Sequence, residues 1–295
     1  MPHYVIRSPR LARRSRFMPS KAGGSVVMAA DVGTYTLNGQ STLFNLAQVD
    51  DSGSFALNGQ NVLFALSEAV ANGAFALNGQ TALFNLASVD AVGSYALNGQ
   101  AALFIIGGIE NAGSYALNGQ TALFNLAETI ANGSYALNGQ AISFTIGGIE
   151  DVGAYNVNGQ GALFSLVCDN AVGAYTLNGQ ATLFVLALLS GNGAYALNGQ
   201  GNTFIVGADA GLGAFALNGQ PALFNLAQIS NNGAYILNGQ TSLFGLTQSI
   251  GEGLYNLNGQ ESLFSLSQIT GEGLYNLNGQ DVIFVLGVIL SVDVG

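Results

Sequence analysis

The side chains able to do chemistry are few and sharply segregated along the chain. Sixteen carboxylates, six cationic residues, one histidine (His3) and one cysteine (Cys168) are the titratable groups apart from tyrosine. All the cations, Arg7, Arg10, Arg13, Arg14, Arg16 and Lys21, precede residue 22, and so does His3; the first acidic residue is Asp31. From Asp31 onward no histidine, lysine or arginine can serve as a general base, an oxyanion partner or a phosphate clamp. Paired carboxylates such as Glu150 and Asp151 have the right chemistry for acid–base work. However, thirteen of the sixteen acidic residues fall where one sequence repeat joins the next, a variable segment that reads as a solvated loop edge. Stacked Asp and Glu there would offer oxygen ligands to calcium. The calcium-binding nonapeptide pattern is absent, and several repeats carry no carboxylate at that point. Cys168 has no basic neighbour in sequence and stands where other repeats carry Gln or Glu. The recurrent Asn-Gly-Gln is no phosphate cradle, because neither a lysine nor a helix follows it. The expectation is a non-enzyme with no catalytic, cofactor-binding or metal-binding residue and no cofactor.

The composition narrows the class further. With 49% hydrophobic and only 7% charged residues, the chain has ample apolar material to bury, which excludes disorder. A single cysteine excludes a disulfide scaffold. The longest low-polarity stretches, such as Ile283 to Val292, are shorter than the roughly 20 residues a membrane-spanning helix needs. A transmembrane barrel would need a signal peptide, interfacial aromatic girdles and strands of about 9–11 residues, and none is evident. The flat array of small hydroxyl residues expected of an ice-binding solenoid is missing too, since the position after Gln runs Ser41, Asn61, Thr81, Ala101 and later Pro221 and Glu261.

The elements that carry these residues are set by a repeat. From Asp31 to Leu290 the sequence recurs at a strict period of 20, thirteen times, without an insertion. The third position is always glycine (Gly33 to Gly273) and the fifth always Tyr or Phe. The eighth to tenth are always Asn-Gly-Gln, the fourteenth is always Phe, and the sixteenth is Leu, Ile or Val. Each repeat reads as two short strands: Tyr35 and Leu37 alternate with small residues, and Phe44 and Leu46 do so after the Asn-Gly. Helix is disfavoured by two fixed glycines per repeat and by the aromatic and branched residues. Two architectures fit. In an antiparallel hairpin meander or prism, each Asn-Gly forms a two-residue turn. In a β-solenoid, each repeat is one coil stacked on the last. The invariant Gln favours the solenoid. A hairpin has no use for it, whereas stacked coils would align Asn38 with Asn58 and Gln40 with Gln60 as amide ladders, and stack the Tyr35 column and the Phe44–Phe64 column. The expected fold is therefore all-β: a solenoid of thirteen coils.

Leu43 has the opposite strand parity to Phe44, yet its position is large and apolar in eleven of thirteen repeats, Ser143 and Thr203 being the exceptions. Either the strand is straight and Leu43, Leu63 and Leu83 form an outer apolar column that a partner chain would cover, or a corner between positions 42 and 43 turns leucine and phenylalanine both inward. The first alternative predicts a homo-oligomer, with a trimer favoured by analogy with fibrous β-proteins.

The charge asymmetry sets the domain boundaries: an extended basic arm over 1–30, the repeat array over 31–290 and a short tail over 291–295. The run Arg7-Ser8-Pro9-Arg10-Leu11-Ala12-Arg13-Arg14-Ser15-Arg16 is proline-punctuated and free of acidic residues. It lacks the apolar core of a secretory signal, and its apolar stripe is weak for a transit peptide. On charge alone nucleic acid is conceivable, but docking on an acidic protein surface is the preferred reading.

Units such as Gly113-Ser114-Tyr115-Ala116-Leu117-Asn118-Gly119-Gln120 resemble the Gly-Ser-Tyr-x-Leu-x-Gly-Gln repeats of virion proteins of tailed bacteriophages and prophages. The resemblance covers the array and not the arm. It implies a structural fibre or decoration on a capsid, collar or tail surface, held to other virion proteins through the arm, with contact to a host surface as a further role. A self-assembling cell-surface fibre or adhesin, resembling functional amyloid subunits and located outside the cell, is the alternative.

Overall fold

The computed structural model of the chain describes residues 4–6 and 25–28, and then 33–49, 53–69, 73–89, 93–109, 113–129, 133–149, 153–169, 173–189, 192–209, 213–229, 233–249, 253–270 and 273–289. The chain divides into two compact units, Met1–Ile142 and Ser143–Gly295. Each is a parallel β-solenoid in which one repeat makes one coil.

In the first unit, a short strand (Gly33–Asn38, Gly53–Asn58, Ala74–Asn78, Ser94–Asn98, Ser114–Asn118) alternates with a long one (Ser41–Val49, Asn61–Ala69, Thr81–Val89, Ala101–Ile109, Thr121–Thr129). Short strands pair only with short strands and long with long, always in parallel and offset by one repeat, as in Tyr95↔Tyr115 and Phe104↔Phe124. A hairpin meander would instead pair the two strands of one repeat antiparallel, so that alternative is excluded. The second unit keeps the register, with Tyr155↔Tyr175 and Phe244↔Phe264. Its early repeats run as single strands through the Asn-Gly-Gln, over Ala154–Asp169, Ala174–Leu189 and Ala194–Asp209.

The core lies between the two strands of each coil. Position five and position seven point inward from the short strand: Tyr115 and Leu117 are fully buried. On the long strand the inward set is positions twelve, fourteen and sixteen, as at Ala122, Phe124 and Leu126. Inward parity thus switches from odd to even across the bend at Gly39-Gln40 and its equivalents. Leu43, Leu63 and Leu83 are half-buried between fully inward neighbours, so the strand is straight there and the leucines point outward. A corner between 42 and 43 is not formed.

Because paired strands sit about 4.8 Å apart, identical side chains in successive coils meet face to face. Phe84 and Phe104 stack with centroids 4.7 Å apart, and Tyr95 and Tyr115 at 4.9 Å. The two columns meet edge to face inside the core, as in Tyr95–Phe104 at 6.0 Å and 90°. Such pairs contribute about 0.5–1.5 kcal/mol each beyond the area they bury.

The two fixed glycines are explained by packing rather than by turn conformation, since none of the described glycines has a positive φ. A Cβ on Gly113 would lie 2.9 Å from both Cε2 and the hydroxyl of Tyr115, whose ring folds back over the glycine. A Cβ on Gly119 would lie 2.5 Å from the carbonyl oxygen of Gly99 in the coil before. One glycine admits the aromatic ring and the other admits the neighbouring backbone.

Within the segment read from the sequence as an extended arm, Ser25–Met28 pairs in parallel with the first long strand (Val26↔Phe44), and Tyr4–Ile6 pairs with Ser25–Met28 in turn. The sheet of long strands therefore starts two strands before the first repeat.

Candidate functional site

Among the described residues, no group of three or more His, Cys, Asp or Glu is placed to hold a metal ion. The coils present their outer faces, the Asn-Gly-Gln edge and the end coils of the array.

The Asn-Gly-Gln edge is polar and strictly ordered. In the first unit the eighth-position asparagines form a ladder, with Nδ2 donating to the Oδ1 one coil earlier: Asn58 to Asn38 at 2.8 Å, Asn78 to Asn58 at 2.9 Å, Asn118 to Asn98 at 2.8 Å. In the second unit Asn178 to Asn158 at 2.7 Å and Asn278 to Asn258 at 2.9 Å do the same. A side chain that both donates and accepts can propagate such a ladder from coil to coil, which is why Asn serves where an ionised Asp could not. The glutamine column differs from expectation. Gln40 and Gln60 are exposed, and among the described residues no side-chain bond joins one glutamine to the next. Their link is through the backbone, Gln60 N–H to Gln40 C=O at 2.9 Å. Nothing in the structure explains why this residue is always Gln.

The outer face of the long strands carries the leucine column. Leu43, Leu63, Leu83 and Leu103 are half-buried and in register, and Leu123 is 38% exposed. Beside the column the same face carries Ile105, and in the second unit Val185 and the exposed Ile205 stand at the equivalent position of the repeat. The outer face of the short strands is instead lined by small residues such as Ser94, Ala96, Ser114 and Ala116. The two faces differ: the first carries a column of large apolar side chains, and the second is built mostly of small residues.

Of the remaining residues singled out in the sequence, Tyr35 is half-buried and stacks on Phe55 at 5.0 Å, and Phe44 and Phe64 are fully buried and stack at 5.2 Å. Arg7, Arg10, Arg13, Arg14, Arg16 and Lys21 lie outside the described residues, as do joining-segment carboxylates such as Glu150 and Asp151, whereas Glu68, Glu128, Asp169 and Asp209 fall within long strands. Cys168 lies in a long strand, in register with Leu188.

One polar feature was missed in the sequence. Asn202 occupies an inward position that is Ala in the neighbouring repeat at Ala222, and it is 2% exposed. Thr182, itself buried, donates to its Oδ1 at 2.5 Å, while its Nδ2 donates to the carbonyl oxygens of Asn218 at 2.6 Å and Leu197 at 3.3 Å. With both ends of the amide satisfied, this is a structural element rather than a reactive one. The signal lay in the twelfth position of the repeat, whose inward parity becomes legible only once the bend is placed.

No protein-family model matches the sequence, and searches of curated proteins and of solved structures returned no match.

Proposed function

We propose that the chain is a structural, non-enzymatic fibre or decoration protein of a tailed-phage virion. Its basic amino-terminal segment holds it to an acidic surface of another virion protein, and the repeat array projects. The observation that carries this reading is the in-register parallel stacking itself. The inward positions are filled by packed side chains, the eighth-position Asn residues form the ladder, and the array from Asp31 on has no cationic side chain with which to act on a substrate. The resemblance of the Gly-Ser-Tyr-x-Leu-x-Gly-Gln units to virion repeats supplies the setting.

The half-exposed leucine column supports lateral association into a homo-oligomer, for which a trimer is proposed. Parallel sheets are usually covered on both faces, and the outer face of the long strands is the apolar one. A fibre on a particle surface could touch the host, which is the second role proposed. The test is direct. The protein should be recovered from purified particles at a fixed copy number, and deletion of residues 1–21 should leave the array folded but absent from particles. Retention on particles after that deletion would refute the anchoring role. Recovery from the cell surface, with none in particles, would favour the adhesin reading instead.

A further inference from the structure

The two ends of the array are not equivalent. At the start, Ser25–Met28 lies against the first long strand, and Phe44 is fully buried. At the other end, among the described residues no strand pairs with the far edge of Leu274–Asn278 or of Asp281–Ile289. The last member of the phenylalanine column, Phe284, is 43% exposed, whereas every earlier one from Phe44 to Phe264 is 0% exposed. Leu286, at an inward position, is 40% exposed, and the inward Tyr275 and Leu277 are half-buried where Tyr255 and Leu257 are fully buried. A bare core cross-section and an open strand edge therefore coincide. Open edges of this kind template further pairing.

We propose that this last coil is a docking surface for the amino-terminal end of a second copy of the chain, so that copies join head to tail. Three features of the molecule select that occupant. The first is donor–acceptor polarity. Asn278 donates its Nδ2 to Asn258, so the ladder ends there on an acceptor, while at the first coil Asn38 accepts from Asn58 and the ladder begins on a donor. Head meets tail as donor to acceptor, and tail meets tail as acceptor to acceptor. The second is charge. The amino-terminal end carries all six cations of the chain, and the final coils carry the exposed Glu261 and Asp281, with Glu272 and Asp293 nearby in sequence. Tail-to-tail contact would bring carboxylates together. The third is continuity with the coil-to-coil interface already present. A second copy's first repeat offers Tyr35 to Tyr275 and Phe44 to Phe284 at the same period. The strand Ser25–Met28 that covers its long strand is held by only three register pairs, Ser25↔Leu43 to Val27↔Asn45, against eight between the last two long strands. Exchanging the short pairing for the long one favours docking. Such a contact is heterologous, so copies add in series. This inference is independent of the virion reading.

Sedimentation velocity of the full-length protein over a range of concentrations and salt tests it. The expected result is a ladder of species that grows with concentration and shrinks with added salt. Two variants address the tail: Phe284→Asp with Leu286→Asp, and Glu261→Lys with Asp281→Lys. Each should abolish the larger species, with circular dichroism of the wild-type form. The charge-reversed pair is exposed, so it decides the matter if the first variant unfolds. A single species at all concentrations would overturn the proposal. So would a ladder that survives both tail variants, or one lost instead on Leu83→Lys with Leu123→Lys, which would place the contact on the lateral leucine face.

Discussion

Alanine in place of the ninth-position glycine should have opposite consequences in different coils. At Gly119 the new Cβ would sit 2.5 Å from the Gly99 carbonyl oxygen, with the Gln100 and Thr121 oxygens at 3.3 Å. Carbon and carbonyl oxygen tolerate about 3.3 Å, so the two coils must part locally by about 0.8 Å. The bonds on either side, Gly119 N–H to Asn138 C=O at 3.0 Å and Thr121 N–H to Gln100 C=O at 2.9 Å, anchor the strands that would have to move. Overpacking of this kind costs about 1–3 kcal/mol, and weakening the two hydrogen bonds adds about 1 kcal/mol. Alanine recovers about 0.4–1 kcal/mol by restricting the unfolded chain. The net expectation is a loss of about 1–3.5 kcal/mol. Gly39 has no array repeat beneath it: the nearest atom to its Cβ is Thr42 Cγ2 at 3.6 Å. Gly39→Ala should therefore be neutral or stabilising by up to about 1 kcal/mol. Urea unfolding followed by circular dichroism, with hydrogen exchange to localise the weakened coil, measures both. Equal losses at Gly39 and Gly119 would refute the packing argument, because they would mean that the backbone conformation of the bend itself demands glycine.

Three further outcomes follow from the same geometry. Gly113→Ala should be destabilising because its Cβ meets the Tyr115 ring, and Tyr115→Leu should relieve most of that added cost; a double-mutant cycle with coupling below about 0.5 kcal/mol would sink this. Asn178→Asp should destabilise the second unit at neutral pH, since a carboxylate cannot donate to Asn158 and faces its Oδ1. That raises the folded-state carboxyl pKa above the unfolded value near 4, so stability should return as pH falls through the folded pKa, as read by thermal melts at several pH values. Burial pushes the Tyr95 and Tyr115 phenols well above their ordinary range, with the neighbouring tyrosines adding to the shift at Tyr115. Stability should therefore be complete below the unfolded phenol pKa near 10 and decline above it, with phenolate absorbance rising together with unfolding rather than before it.

Much of the fold was legible because thirteen copies of one pattern over-determine it. The strict Asn38-Gly39-Gln40 recurrence favoured stacking over hairpins, and the parallel one-repeat register bears that out. What was less legible came from positions whose role depends on the neighbouring coil. Gly119 and its equivalents in the stacked coils look like turn glycines in a single repeat, and only the carbonyl one coil away shows that they are spacers. The outward direction of Leu43 could not be fixed until the bend was placed at Gly39-Gln40, since shifting the bend inverts the parity of everything after it. Ser25–Met28 and Tyr4–Ile6 are only four and three residues long and lie outside the period, so no repeat signal marked them as strands.

The near-identity of the repeats raises a problem that the exceptions solve. A coil that skipped its neighbour and paired two repeats away would meet almost the same side chains, so the uniform positions discriminate weakly against such a slip. Asn202 does discriminate. In the native register its Oδ1 accepts from Thr182 directly beneath, whereas a slip of one further repeat would place it over Ala162 and leave a buried amide oxygen without its donor. An unsatisfied buried polar group costs about 1–3 kcal/mol, enough to bias the choice of register without adding to the stability of the correct one. Replacing both partners, Thr182→Ala with Asn202→Ala, restores the small apolar type found at Ala162 and Ala222 and should leave equilibrium stability within about 1 kcal/mol of the parent. Refolding should nevertheless become heterogeneous, with a slow phase that stopped-flow double-jump experiments resolve and the parent lacks. Single-phase refolding of the double variant at the parent rate would show that register is held elsewhere, leaving the Thr182–Asn202 pair a tolerated substitution in the core.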